Sequence, residues 1–239
     1  MKILAIGNSF SQDATRYLRE IAKSNGDKIK VINLFIGGCP LYKHYLNILQ
    51  NKESYNIQVD GENIFFLTSI QKALASDRWD VVTIQQASKE SPFFEMYKPY
   101  LDLVVDTIKL YSPESKIYVH QTWAYHNDSP RLEGLGFKNS AEMFEKVEDA
   151  YNQMKDYIKA DGLIPSGKLI QMLFDSGINH THRDNHHISL GISRYAVALL
   201  WYAMLVNKDI DNVPFNDFDE EVTPEEIALA KKLVKELVK

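Results

Sequence analysis

The stretch Met1-Lys2-Ile3-Leu4-Ala5-Ile6-Gly7-Asn8-Ser9-Phe10-Ser11 decides how the chain is read. Residues 3–6 form a short continuous apolar run closed by glycine, the pattern of a strand buried on both faces. Ala14, Tyr17, Leu18, Ile21 and Ala22 then recur at the spacing of an amphipathic helix. Outward from there, apolar runs keep alternating with helix-period stretches. Residues 29–36, 81–84, 117–120 and 163–164 read as further strands, and residues 69–76, 97–110, 141–158 and 188–205 as helices. Residues 56–59 and 63–66 flank Asp60-Gly61, which predicts a β-hairpin insertion near residues 55–67 at one edge. Thr223-Pro224-Glu225-Glu226 joins an N-cap, a first-turn proline and a capping-box glutamate, and opens a last helix. The alternation predicts an α/β fold, a three-layer αβα sandwich around a central parallel sheet of about five strands.

The 239 residues allow one large domain or two small ones. No linker separates the runs, so residues 1–239 are expected to form one domain. Hydrophobic residues at 45% and charged residues at 25% exclude a disordered or fibrous chain. A net charge of −5 gives no electrostatic footing for nucleic acid or an anionic membrane, and neither is expected as a partner. The single cysteine, Cys39, excludes an internal disulfide and a cysteine-rich zinc site. The four apolar residues near the N-terminus are too few for a signal-peptide core. The expectation is a cytoplasmic chain, with secretion open should a leader have been removed.

In an open parallel sheet, ligands bind beyond the carboxyl ends of the strands. Those ends deliver Asn8-Ser9, Gly37-Gly38, Gln85-Gln86, and His120-Gln121 followed by Trp123. Asp184-Asn185-His186-His187 precedes the apolar helix near the C-terminus. A nucleophile, small backbone positions, amide donors and an acid–imidazole pair thus fall on one edge. At a strand-to-helix junction, backbone N–H groups are free and the dipole favours negative charge. Ser9 either attacks a carbonyl there, or Ser9 or Ser11 merely caps the helix. Asp184 and His187, three apart, share one side of a turn. The carboxylate can then hold Nδ1–H and leave Nε2 to take a serine proton. The rivals are an aspartate cap beside a solvent-facing histidine, or zinc held by Asp184 with His180, His182, His186 and His187, whose spacing fits no common zinc motif. Gly37-Gly38 either aims N–H groups at a ligand or only turns the chain. Of Gln85 and Gln86, on alternate faces, one can donate to an oxyanion while the other bonds within the edge. Trp123 and Tyr125 either stack on a substrate or join the core.

Together these residues resemble the SGNH hydrolases, also called GDSL esterases. Gly7-Asn8-Ser9-Phe10-Ser11 is similar to the family's Gly-Asp-Ser block after the first strand. Ile36-Gly37-Gly38-Cys39 resembles its glycine block, and Asp184-Asn185-His186-His187 its closing Asp-x-x-His. The wording around Ser9, in His120-Gln121-Thr122-Trp123-Ala124-Tyr125 and in Arg183-Asp184 looks like a bacterial branch of unknown function. The resemblance implies an SGNH-hydrolase-like, flavodoxin-like fold. It implies Ser9 as nucleophile, His187 as base and Asp184 as its orienter, with the N–H groups of Ser9 and Gly38 on the oxyanion. The third block departs from the pattern, because residues 80–88 hold no asparagine. The role of that donor passes to a glutamine, Gln86 in preference to Gln85. Gln85, His120 and Trp123 are expected to bind substrate. The family acts on esters, often O-acetyl groups of carbohydrates. The implied partner is therefore a small-molecule or carbohydrate ester, with no cofactor and no metal.

Other classes fit less well. The nucleophile elbow of α/β-hydrolases follows several strands, whereas residue 9 can follow one. Dinucleotide binding needs glycine where Ser9 stands. A non-catalytic carbohydrate- or ligand-binding module on the same fold is the remaining rival. The missing asparagine favours it, and Ser9, Asp184 and His187 oppose it.

Overall fold

The computed structural model describes residues 1–239. Seven strands form one sheet in the order β4-β3-β2-β1-β5-β6-β7. They are β1 (Lys2–Gly7), β2 (Lys30–Phe35), β3 (Tyr55–Val59), β4 (Glu62–Thr68), β5 (Val81–Ile84), β6 (Lys116–His120) and β7 (Gly162–Ile164). From β2 through β1, β5 and β6 to β7 all pairings are parallel, while β3 and β4 join antiparallel at the edge beyond β2. The parallel part is thus five-stranded, and the chain crosses from one side of β1 to the other between β2 and β5. This is the doubly wound, flavodoxin-like order, whose ligand crevice opens where the winding reverses. Ser9 follows β1 at that point.

The apolar run of β1 is read by both faces of the sheet. Ile3 and Ala5 enter one core, Leu4 and Ile6 the other, and all four are buried. The first core is closed by α1 (Ser9–Thr15), α2 (Leu18–Ser24), α8 (Ser166–Asp175), α9 (Ile192–Leu205) and α10 (Pro224–Leu237). The second is closed by α3 (Leu41–Leu49), α4 (Ile70–Ala75), α5 (Tyr100–Tyr111), the short α6 (Arg131–Gly134) and α7 (Ser140–Ile158). Past Arg194, helix α9 is apolar around its circumference, as befits a helix buried on nearly every side. No helix is long and apolar enough to cross a membrane.

Three helical readings need correction. The periodic run from Ala14 to Ala22 is two helices, broken at Arg16-Tyr17. There Arg16 turns to Asp219, and the Tyr17 hydroxyl donates to the Leu190 carbonyl. Helix α3 was not expected, because its inward face carries His44 and Asn47, which hydrogen-bond the Tyr55 hydroxyl at 2.9 and 3.2 Å. Helix α8, which starts at Ser166 directly after Pro165, is also absent from the expected helices. Gly167 is needed there for packing: a Cβ would sit 2.2 Å from the Thr122 carbonyl oxygen.

Candidate active site

Asn8 settles what the first turn does. Its backbone is extended, and its Oδ1 accepts the Phe10 N–H at 3.0 Å, so Asn8 caps α1. The Ser9 hydroxyl is thereby left for other work. Asn8 also ties strand ends together. Gln85 Nε2 donates to Asn8 Oδ1 at 2.9 Å, Asn8 Nδ2 donates to the Cys39 carbonyl at 3.3 Å, and His120 Nδ1–H donates to Gln85 Oε1 at 2.8 Å. One buried polar chain therefore fixes the ends of β1, β5 and β6 and the turn after β2. Gly7 is required above this chain, since a Cβ would meet Ser11 Oγ at 2.5 Å and Gln85 Cδ at 2.9 Å.

Asp184 and His187 lie on a tight loop before α9. The loop is closed by a bridge between His182 and Ile188 and by the Arg183 N–H on the His187 carbonyl at 3.0 Å. Asn185 turns it with a φ of +66°. Asp184 Oδ1 accepts the His187 N–H at 2.8 Å, and Oδ2 accepts His187 Nδ1–H at 2.7 Å. The other ring nitrogen, Nε2, accepts the Ser9 hydroxyl proton at 2.8 Å. Partial burial disfavours the Asp184 charge, yet the hydrogen bonds from the His187 ring and backbone hold its carboxyl well below the usual carboxylate range. The acid is thus ionised, the tautomer is fixed, and the base faces the serine.

The loop and the serine helix are locked to each other. Asp13 of α1 is fully buried and receives Arg183 Nη1 at 3.1 Å and Arg194 Nη2 at 2.7 Å. Arg183 also donates to the Ile188 carbonyl, and Arg194 pairs with Asp219 at 2.9 Å. Residues four from Ser9 and one from Asp184 therefore share one charged network.

Ser9, Gly38 and His187 open onto a cleft of about 800 Å³. The N–H groups of Ser9 and Gly38 have no acceptor within the protein. Gly38 holds a φ of +59°, a left-handed conformation that favours glycine. These donors are free for charge that develops on a bound carbonyl.

Four expected site residues lie elsewhere. Gln86, expected to donate to the oxyanion, is buried. Its Oε1 accepts the N–H groups of Leu41 and Ala87 at 2.9 Å, and its Nε2 donates to the Met96 carbonyl at 3.3 Å. Gln85 and His120, expected to bind substrate, are spent on the buried chain under Asn8. Burial also takes the His120 ring down to about 3. Trp123 is fully buried: it stacks on Phe10 at 4.2 Å and donates Nε1–H to the His186 carbonyl, so it backs the site rather than facing substrate. The cleft wall is instead built by Ser88, Lys89 and Arg131, the last lying over the Tyr125 ring, which joins the core and is buried beneath it. Ser88 and Lys89 stand in the loop after β5 and Arg131 opens the short α6, where no periodicity marks them. The histidine cluster disperses, since His180 pairs with Glu226 and His182 Nε2–H donates to the Ala124 carbonyl. Only Asp184, His186 and His187 keep ligand-type atoms within 4.8 Å of one another. Burial pushes the Cys39 thiol up to about 12 and leaves it inert.

Comparison with known proteins agrees with this architecture. The family model DUF4886, a domain of unknown function, matches residues 2–236. A DUF4886 family protein from Bacteroides uniformis is 33% identical, with 100% of this chain and 94% of that chain covered and a TM-score of 0.92. A candidate SGNH hydrolase from Slackia heliotrinireducens is 22% identical over 83% of this chain and 95% of that chain, with a TM-score of 0.58. The family 3 carbohydrate esterase of Clostridium thermocellum is 13% identical over 84% and 93% of the two chains, with a TM-score of 0.52. A comparison with curated proteins finds no match. The more distant likenesses show the fold, and the first two findings show the family: the chain belongs to DUF4886, built on the SGNH-hydrolase-like fold.

Proposed function

We propose that the chain is a serine esterase that hydrolyses a small acyl ester, an O-acetyl group on a carbohydrate. The observation that carries this reading is the chain of contacts from Asp184 through His187 to Ser9, at 2.7 and 2.8 Å, on the wall of an open cleft. The carbohydrate esterase among the structural neighbours shares only the fold, and the sugar part of the proposal rests on that likeness and on the size of the cleft.

Ser9 Oγ attacks the acyl carbon while its proton passes to His187 Nε2. Ionised Asp184 stabilises the imidazolium and keeps its orientation. The carbonyl oxygen becomes an oxyanion and takes the N–H groups of Ser9 and Gly38. As the carbon–oxygen bond to the alcohol breaks, His187 returns the proton to the leaving oxygen. Water then adds to the acyl-enzyme with His187 again as base; the bond from carbon to Ser9 Oγ breaks, His187 returns that proton to Ser9, and the acid departs. Two backbone donors replace the family's usual set of three. This predicts a slower enzyme, because one oxyanion donor is typically worth roughly 10²–10³ in kcat.

Hydrolysis of phenyl acetate and of a per-acetylated sugar by the wild type and by Ser9→Ala is the test. The expected result is a loss of about 10⁴-fold or more in the variant. Equal rates would reject serine catalysis. No turnover by either protein would favour the ligand-binding module.

A further inference from the structure

The cleft has a sign opposite to that of the molecule. The chain carries 32 acidic against 27 basic side chains. The charged side chains of the cleft wall are nevertheless Lys89 and Arg131, with no carboxylate among its lining residues. Arg131 is exposed, lies over the Tyr125 ring at 5.7 Å and takes part in no ion pair. Lys89 meets only its neighbour Glu90, at 3.6 Å with its own side chain 66% exposed, a contact that holds it weakly.

Arg131 is linked through contacting rings to His187, the residue that protonates the leaving alcohol. His187 packs against His186 at 3.8 Å between ring centres, His186 meets Tyr125 edge-on at 6.2 Å, and Tyr125 carries Arg131. Burial lowers the proton affinity of His186, and the positive charge of Arg131 adds to that effect. The alcohol must leave past His187 Nε2 to be protonated. Whatever extends from it therefore runs along this wall, beside the paired hydroxyls of Ser88 and Tyr125, which lie 3.0 Å apart. A planar guanidinium with no partner matches a carboxylate or phosphate with two parallel hydrogen bonds.

We infer that the alcohol part of the substrate bears an anionic oxyacid group, carboxylate or phosphate, received by Arg131, with Lys89 adding positive charge to the same cleft. This rests on the serine esterase reading above. An acidic, acetylated sugar unit has this chemistry, whereas a neutral one leaves both cations idle.

The test uses three acetyl esters of matched shape: those of 4-hydroxybenzoate, of 4-hydroxyphenyl phosphate and of neutral 4-hydroxybenzamide. Each kcat/KM is divided by the ester's uncatalysed hydrolysis rate, which removes intrinsic reactivity. The wild type is expected to prefer an anionic ester over the amide by about tenfold. Added salt should shrink that preference. Arg131→Gln should abolish most of it, Arg131→Glu should invert it, and Lys89→Gln should reduce it. The order of the two anionic esters tells carboxylate from phosphate. Ser9-dependent cleavage of all three esters with the same ratios in wild type and Arg131→Gln would overturn the inference and leave the esterase reading standing. Failure to cleave any of them faster than Ser9→Ala would overturn both.

Discussion

At the scale of single residues, the site divides into side chains that face the cleft and side chains that hold them. Ser9 and His187 face it, while Gln85, Gln86, His120 and Trp123 lie beneath. Gln86 shows how the difference is measured. It satisfies two backbone N–H groups and donates to one carbonyl, so Gln86→Ala removes a buried brace. We expect urea denaturation to show a loss of about 1–3 kcal/mol. Turnover by the folded variant should fall less than tenfold, short of the loss for an oxyanion donor. A drop of 10³-fold without destabilisation would put its amide back on the oxyanion. The serine, aspartate and histidine were legible because local sequence defines them, as a strand-end serine and an acid–base pair three apart. The glutamines and Trp123 were placed on the right edge of the sheet but given the wrong role. Alternation along a strand says which face a side chain takes and not whether another element covers that face.

At the scale of elements, the site depends on the register between α1 and the loop before α9. That register is set by Asp13, Arg183 and Arg194, three charges brought together from distant parts of the chain. Removing Asp13 leaves two arginines facing a buried gap. Asp13→Ala is expected to cost about 3–5 kcal/mol in thermal or urea unfolding. A stability unchanged from wild type would mean that the network does not hold the two elements. The strands were legible because a parallel sheet covered on both faces demands unbroken apolar runs, as in β1 and β5. Helices α3 and α8 were not. In α3 the apolar Leu41 and Ile48 share the inward face with His44 and Asn47, whose reason lies in Tyr55. In α8 Leu169, Ile170 and Leu173 are an ordinary apolar face, but the first turn, Ser166-Gly167 after Pro165, has its reason in packing against the Thr122 carbonyl.

At the scale of the whole molecule, helix α3, the polar layer between strand ends and the half-buried base of the loop before α9 hold imidazoles without charge. Burial takes His44 down to about 4, His120 to about 3 and His182 to about 4, each from an ordinary value near 6.5. In the unfolded chain all three bind protons as the pH falls through about 6.5. In the folded chain they stay neutral until about 3–4. Between those limits the unfolded state holds more protons, so stability is full above about pH 6.5 and declines as the pH falls through the window. The urea midpoint should therefore drop steadily from about pH 7 to about pH 4. A midpoint flat across that range would contradict the burial of these neutral rings.

The central claim is that Ser9 is an activated nucleophile. Reaction with a fluorophosphonate, followed by mass mapping of the adduct, tests it most directly. The account predicts one phosphonyl group, on Ser9, formed quickly in the wild type and far more slowly in His187→Ala. An unlabelled Ser9, or an adduct that forms equally fast without His187, would contradict it.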